Sequence, residues 1–278
     1  MSAALTVNVM PTDARHVVDC AIGAESRGIG RLVLPDSGVR SRDGWVTLGA
    51  CAAPTSNLRL GLITNPLTRR PEVTALALAT LDELTGGRGF AVLSTGGAFQ
   101  LASMGVDRRG RVDELVDALD VLRRRHPDAE AWVATKGPRT IAAVGPAADA
   151  VLLSGIPFAL VPRFADAARA AGARPVLTLH HWFDDESRRD SAERLVYELA
   201  TMRPEFAQAA GVTADLRDEV LRRLDRDGPV TAGEAIPDEV LAAFYLRAPR
   251  DDLASAAAAL ADRIGVDELV LPERSLLP

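Results

Sequence analysis

Apolar residues in this chain fall into eight short runs, at 5–9, 31–34, 60–63, 90–94, 131–135, 150–154, 175–179 and 268–271. Each is strand-sized, and several break at turn-forming residues such as Pro35-Asp36-Ser37-Gly38, Thr64-Asn65-Pro66 and Thr95-Gly96-Gly97. Between the runs the apolar spacing changes to that of a helix. After Pro71, a residue suited to a first helical turn, Val73, Leu76, Ala77, Thr80, Leu81 and Leu84 recur until Gly86-Gly87 stops them. The stretches 112–125 and 251–264 repeat the pattern. Eight strand-then-helix units in right-handed series predict an α/β fold, a single (β/α)₈ TIM barrel over residues 1–278. The competing open doubly wound sheet calls for a G-x-G-x-x-G turn after the first strand, which is missing here. Residues 184–248 are too many for one crossover and predict a helical insertion between the seventh and eighth strands, outside the barrel or over its mouth.

Composition narrows the function. With 278 residues, 47% hydrophobic and 25% charged, the chain has ample material for a core. A net charge of -6 offers no attraction to phosphate backbones, so no nucleic-acid partner is expected. No apolar run approaches membrane-spanning length and no leader pattern opens the chain, so no membrane partner and a cytoplasmic location are expected. Cys20 and Cys51 sit in helical patterns and read as small buried residues, without a disulfide framework or metal knuckle. Of the 32 basic residues only Lys136 is a lysine.

Leu60-Gly61, Thr64-Asn65-Pro66, Arg69, Pro71 and the helix end Leu81-Asp82-Glu83-Leu84-Thr85-Gly86-Gly87-Arg88, followed by Thr95-Gly96-Gly97, form a specific pattern. It resembles the bacterial luciferase-like superfamily, and within it the deazaflavin (coenzyme F420) dependent reductases such as methylenetetrahydromethanopterin reductase. Ala134-Thr135-Lys136-Gly137-Pro138, Ala147-Ala148-Asp149-Ala150 and the final run from Gly265 to Leu271 extend the resemblance over most of the chain. The resemblance implies a flavin or deazaflavin at the carboxyl ends of the strands, a non-prolyl cis peptide at Leu62–Ile63, and a homodimer paired through helices. Three positions depart from the relatives: Asp36-Ser37 stands where Asp-His is common, Gly97 where one branch has glutamate, and Asn8 where another has glutamate.

Against that background each candidate has a functional and a bland reading. Lys136, Gly137, Pro138 and Arg139 join a cation to a helix start, which suits a phosphate but also makes an ordinary turn. Thr95, Gly96 and Gly97 let backbone approach the cofactor chain, or simply turn. Leu62, Ile63, Thr64 and Asn65 meet the ring system, or only end a strand. Asp36 is a catalytic candidate that contacts ring or substrate and, beside His180 or water, is a source of the proton, or it belongs to a turn. His180 and His181 point to opposite faces, so at most one serves the mouth as a proton donor, with His180 favoured over His181. Trp182 reads as packing. The function expected from these is hydride transfer from reduced deazaflavin to a C=N or C=C bond of a small or biosynthetic substrate. The alternatives are an FMN-dependent luciferase-like monooxygenase and a non-catalytic flavin-binding barrel protein.

Overall fold

A computed structural model describes residues 3–276. The chain begins with β1 (Ala4–Asn8), α1 (Ala14–Ser26), β2 (Arg31–Pro35), α2 (Gly44–Ala52), β3 (Arg59–Thr64) and α3 (Pro71–Thr85). It continues through β4 (Gly89–Leu93), α4 (Ala98–Ser103), α5 (Val112–Arg125), β5 (Glu130–Thr135), α6 (Pro138–Val144), β6 (Ala150–Ser154), α7 (Val161–Ala170) and β7 (Arg174–Thr178). After β8 (Trp182–Phe183) come α8 (Arg188–Ala200), α9 (Pro204–Ala209), α10 (Ala214–Asp227), α11 (Pro229–Glu234) and α12 (Asp238–Ala242). The chain then runs through β9 (Leu246–Arg247), α13 (Leu253–Ile264), β10 (Glu268–Pro272) and α14 (Glu273–Leu276).

Eight parallel strands close in the order β1-β10-β7-β6-β5-β4-β3-β2. The expected barrel is therefore present, with its strand boundaries within one residue of the apolar runs. Local chemistry accounts for the helix ends. The carboxylate of Asp13 accepts the N–H groups of Arg15 and His16 at the start of α1, that of Asp43 accepts Val46 N–H at α2, and Gly86 ends α3 at φ +70°. Two features were not expected from the sequence: α4 on the loop after β4, and a separate two-stranded parallel sheet of β8 with β9. One expectation is corrected. The described residues contain no cis peptide, so Leu62–Ile63 is trans. β3 holds unbroken register there, Leu62 opposite Leu34 and Ala91, and Ile63 opposite Pro35 and Val92. No described helix is long and apolar enough to cross a membrane.

Strand alternation sorts the side chains into two cores. Inside the barrel, Val33, Phe90, Val92, Trp132, Ala150, Leu152, Val176 and Val270 pack together, with Ile63 and Ala134 against them. Gly61 makes room for this packing, since a Cβ there would lie 2.3 Å from the Phe90 ring. Leu32, Leu34, Leu60 and Leu62 face outward to helices such as α2 and α3.

The amino end of the barrel is closed by charge. Fully buried Glu268 accepts from Thr6, Arg31 and Arg174, while Glu130 meets Arg59 at 2.7 Å and Arg31 at 3.3 Å. Trp132 donates its indole N–H to Glu130 at 2.7 Å, with the guanidinium groups of Arg31 and Arg174 over its ring. This plug leaves the carboxyl end as the open face.

Candidate functional site

At the carboxyl end, the same alternation decides which side chains reach the mouth. Asn8, Ile63, Ser94, Ala134, Ser154, Thr178 and His180 follow the inward parity of their strands, whereas Leu62, Thr64 and Leu179 follow the outward one. Asn8 Oδ1 is buried and has no partner. Ser94 Oγ donates to the Thr64 carbonyl at 3.1 Å, and Gly96 N–H donates back to Ser94 Oγ at 3.2 Å, fixing the Thr95-Gly96-Gly97 turn.

His180 sits just past β7 and its Nε2 is 2.8 Å from Ser154 Oγ at the end of β6. Lys136 reaches over the same two strand ends. Gly155, at φ +57°, leaves the notch it occupies, since a Cβ there would lie 2.5 Å from Lys136 Nζ. Glu198 of α8 lies 4.0 Å from that ammonium. Burial lowers the His180 imidazole below its ordinary range, Glu198 opposes this, and Lys136 and Arg194 add to it. A cavity of about 510 Å³ opens beside the mouth, lined by His180, Arg194, Tyr197, Glu198, Tyr245 and Arg274 among others. Tyr245 is buried with its hydroxyl unpartnered.

The remaining expected residues divide into two groups. Gly137 N–H donates to Thr135 Oγ1 at 3.1 Å, and the Arg203 guanidinium donates to the Lys136 carbonyl, 3.5 Å from where a Gly137 Cβ would stand. Lys136, Gly137, Pro138 and Arg139 thus open α6 beneath a second cation. Asp36 and Thr64 lie elsewhere. Asp36 accepts from Thr64 Oγ1 at 3.0 Å and from Arg69 Nε at 2.6 Å, and Arg69 continues to Asp43 at the start of α2. Its carboxylate is therefore held to the rim beside α2, not turned to His180. Asn65 Oδ1 accepts the N–H groups of Leu67 and Thr68 at 3.0 Å, the bland turn the sequence also allowed.

His181 faces away from the mouth. It is fully buried, with Nδ1 2.6 Å from Ser191 Oγ and from the Trp182 carbonyl. Burial pulls its pKa from 6.5 to about 4, against the Trp182 hydrogen bond, with Arg274 adding to the fall. The folded chain thus binds fewer protons here than the unfolded one. This stabilisation is complete above about pH 6.5 and is lost as pH falls towards about 4, on the order of 3 kcal/mol in all. Urea midpoints at about pH 7.5 and pH 5 should therefore fall further in wild type than in His181→Phe. Equal falls would refute this assignment. Both cysteines are buried, and burial pushes the Cys20 thiol up to about 11 and that of Cys51 to about 12, which disfavours the thiolate form.

Sequence reasoning missed Ser154, Glu198, Arg203, Tyr245 and Arg274. Ser154 was within reach, as the inward residue ending the sixth run. Glu198 comes from α8, Arg203 and Tyr245 from the connections leading into α9 and β9, and Arg274 from α14, where no strand parity assigns a direction.

Comparison with known proteins gives this geometry a context. Residues 2–130 match the family model described as luciferase-like monooxygenase. The 5,10-methylenetetrahydromethanopterin reductase of Methanolobus tindarius is 33% identical over 84 residues, covering 30% of this chain and 26% of that protein. The chain's match thus spans about a quarter of the length of such curated relatives. Among solved structures, the coenzyme F420 dependent tetrahydromethanopterin reductase from Methanopyrus kandleri superposes with a TM-score of 0.84 at 18% identity, covering 99% of this chain and 96% of that one. An F420-dependent secondary alcohol dehydrogenase in complex with an F420-acetone adduct gives 0.71 at 16% identity, covering 98% and 93%. Three monooxygenases share the architecture at TM-scores from 0.61 to 0.65. At these identities the structural likenesses establish the fold.

Proposed function

We propose that this chain, with its luciferase-like first half, is a deazaflavin (coenzyme F420) dependent oxidoreductase acting on a C=N or C=C bond of a small or biosynthetic substrate. The observation that carries the reading is the inward His180–Ser154 pair beside an open cavity at the carboxyl end of the barrel. The two deazaflavin-dependent structural neighbours support the cofactor class.

The residues present fit such a cofactor. Asn8 Oδ1 waits unpartnered in the mouth, and Lys136 and Arg203 supply two cations beside the turn that opens α6. Bound there, the deazaflavin supplies a two-electron hydride. Lys136, Gly137, Pro138 and Arg139 would hold the phosphate-bearing chain, and the backbone of Thr95, Gly96 and Gly97 would flank it. Ile63 walls the ring pocket from inside the barrel, while Leu62, Thr64 and Asn65 set the backbone of that rim. His180 moves the proton, with Ser154 orienting its Nε2. Asp36 keeps Arg69 in place and so stiffens the rim rather than moving a proton itself. Val73, Leu76 and Leu84 form an exposed apolar stripe along α3, which supports a homodimer.

An FMN-dependent monooxygenase is the second reading, favoured by the description of the matching family model. Titrating cofactor-free protein with coenzyme F420 and with FMN, by fluorescence quenching or calorimetry, separates the two. Preference for the deazaflavin is expected, weakened about 10- to 100-fold in Lys136→Ala, as suits loss of a charge-assisted phosphate contact. Preference for FMN would move the protein to the second reading. Affinity for neither would leave a barrel without this chemistry.

A further inference from the structure

Where β10 leaves the barrel, Glu273 turns against the first helix. Its Oε1 lies 3.2 Å from His16 Nε2, and Cys20 Sγ lies 3.4 Å from that same nitrogen. His16 and Cys20 are four residues apart on α1, hence on one face. The donor atoms of all three fall within 4.8 Å of one another, a grouping found nowhere else among the described residues. Bonds of about 2.0–2.3 Å to a tetrahedral ion place its ligands roughly 3.3–3.8 Å apart. The two measured pairs are at or near that spacing without any ion to draw them together. A second observation points the same way: Glu273 Oε2 is buried and has no hydrogen-bond partner. A thiol–imidazole–carboxylate contact made only for packing leaves that oxygen unsatisfied, at a cost of about 1–3 kcal/mol.

We propose that His16, Cys20 and Glu273 form a site for one divalent transition metal ion of the zinc type. The donor set decides the class, because thiolate and imidazole favour zinc or cobalt, whereas magnesium and calcium take oxygen ligands. Three protein ligands leave a fourth position for water, and the half-exposed His16 side chain gives the ion a way in. Binding releases the Cys20 thiol proton to solvent as the thiolate joins the metal. The ion would clamp the last helix to α1, and the next residue, Arg274, lines the cavity beside the mouth.

The test is a titration of the metal-stripped full chain with Co²⁺, followed by absorption. One equivalent is expected, with a thiolate-to-cobalt charge-transfer band that Zn²⁺ displaces. Cys20→Ser should abolish the band, and His16→Ala and Glu273→Gln should each weaken binding at least about tenfold. Cys51→Ser, which alters the other buried cysteine, should keep it. Unchanged circular dichroism in each variant separates loss of a ligand from loss of fold. Absence of the band in wild type, or its survival in Cys20→Ser, would overturn the proposal.

Discussion

Replacing His180 by glutamine is expected to slow turnover by about 10²- to 10⁴-fold, the usual contribution of a positioned acid–base group. Cofactor affinity should change little, because the hydrogen bond His180 makes is to Ser154, and Lys136 and Arg203 at α6 remain in place in the variant. The pH profile carries the sharper test. Burial lowers the imidazole's pKa, so its protonated fraction shrinks as pH rises through that lowered value. If His180 gives the proton, reductive turnover climbs towards acid, and the reverse oxidation climbs towards alkali. Both limbs should flatten in His180→Gln, whereas Ser154→Ala should only lower the plateau. Followed as cofactor reoxidation in a single turnover, a variant with wild-type rate and wild-type pH dependence would remove His180 from the chemistry.

The second large effect concerns stability. Glu268→Gln is expected to cost about 3–5 kcal/mol, the scale of breaking a buried ion pair from one side. The carboxylate is fully buried and accepts from Thr6 and from two arginines on different strands. Removing its charge leaves Arg31 and Arg174 with Glu130 alone, which already meets Arg59. Equilibrium denaturation in urea reads this directly. A loss under about 1 kcal/mol would mean that solvent or Glu130 compensates for the missing charge. Binding of the proposed cofactor, per folded molecule, should stay unchanged, since the plug and the mouth lie at opposite ends of the barrel.

The barrel was legible because its signal is periodic and redundant. Eight apolar runs recur, several of them ending in turn chemistry, and parallel strands buried on both faces read as continuous apolar stretches, as 150–154 does. α4 was not, because Ala98–Ser103 is too short to establish a period, and β8 and β9 contribute only two residues each. The opposed directions of His180 and His181 followed from alternation alone, and Ser154 Oγ and Ser191 Oγ are their separate partners. Asp36 illustrates the limit. A carboxylate after a strand reads as mouth chemistry, yet whether it points there depends on Arg69, thirty-three residues away, which binds it to the rim. The cavity walls were invisible for the same reason: Glu198, Tyr245 and Arg274 meet His180 only through tertiary packing.

Closure through β1 and β10 also sets a timetable for synthesis. Thr6 and Glu268 are 262 residues apart, and β1 has no second neighbour until β10 arrives between it and β7. A nascent chain can assemble β1 through β7 in sequence, but both flanks of that curved sheet stay open until β10 has emerged from the ribosome. Contacts of such separation form slowly, and unpaired strand edges invite other chains. Translation that stops short of Glu268 would therefore yield an adhesive half-closed sheet, a substrate for chaperones or proteases rather than a closed barrel.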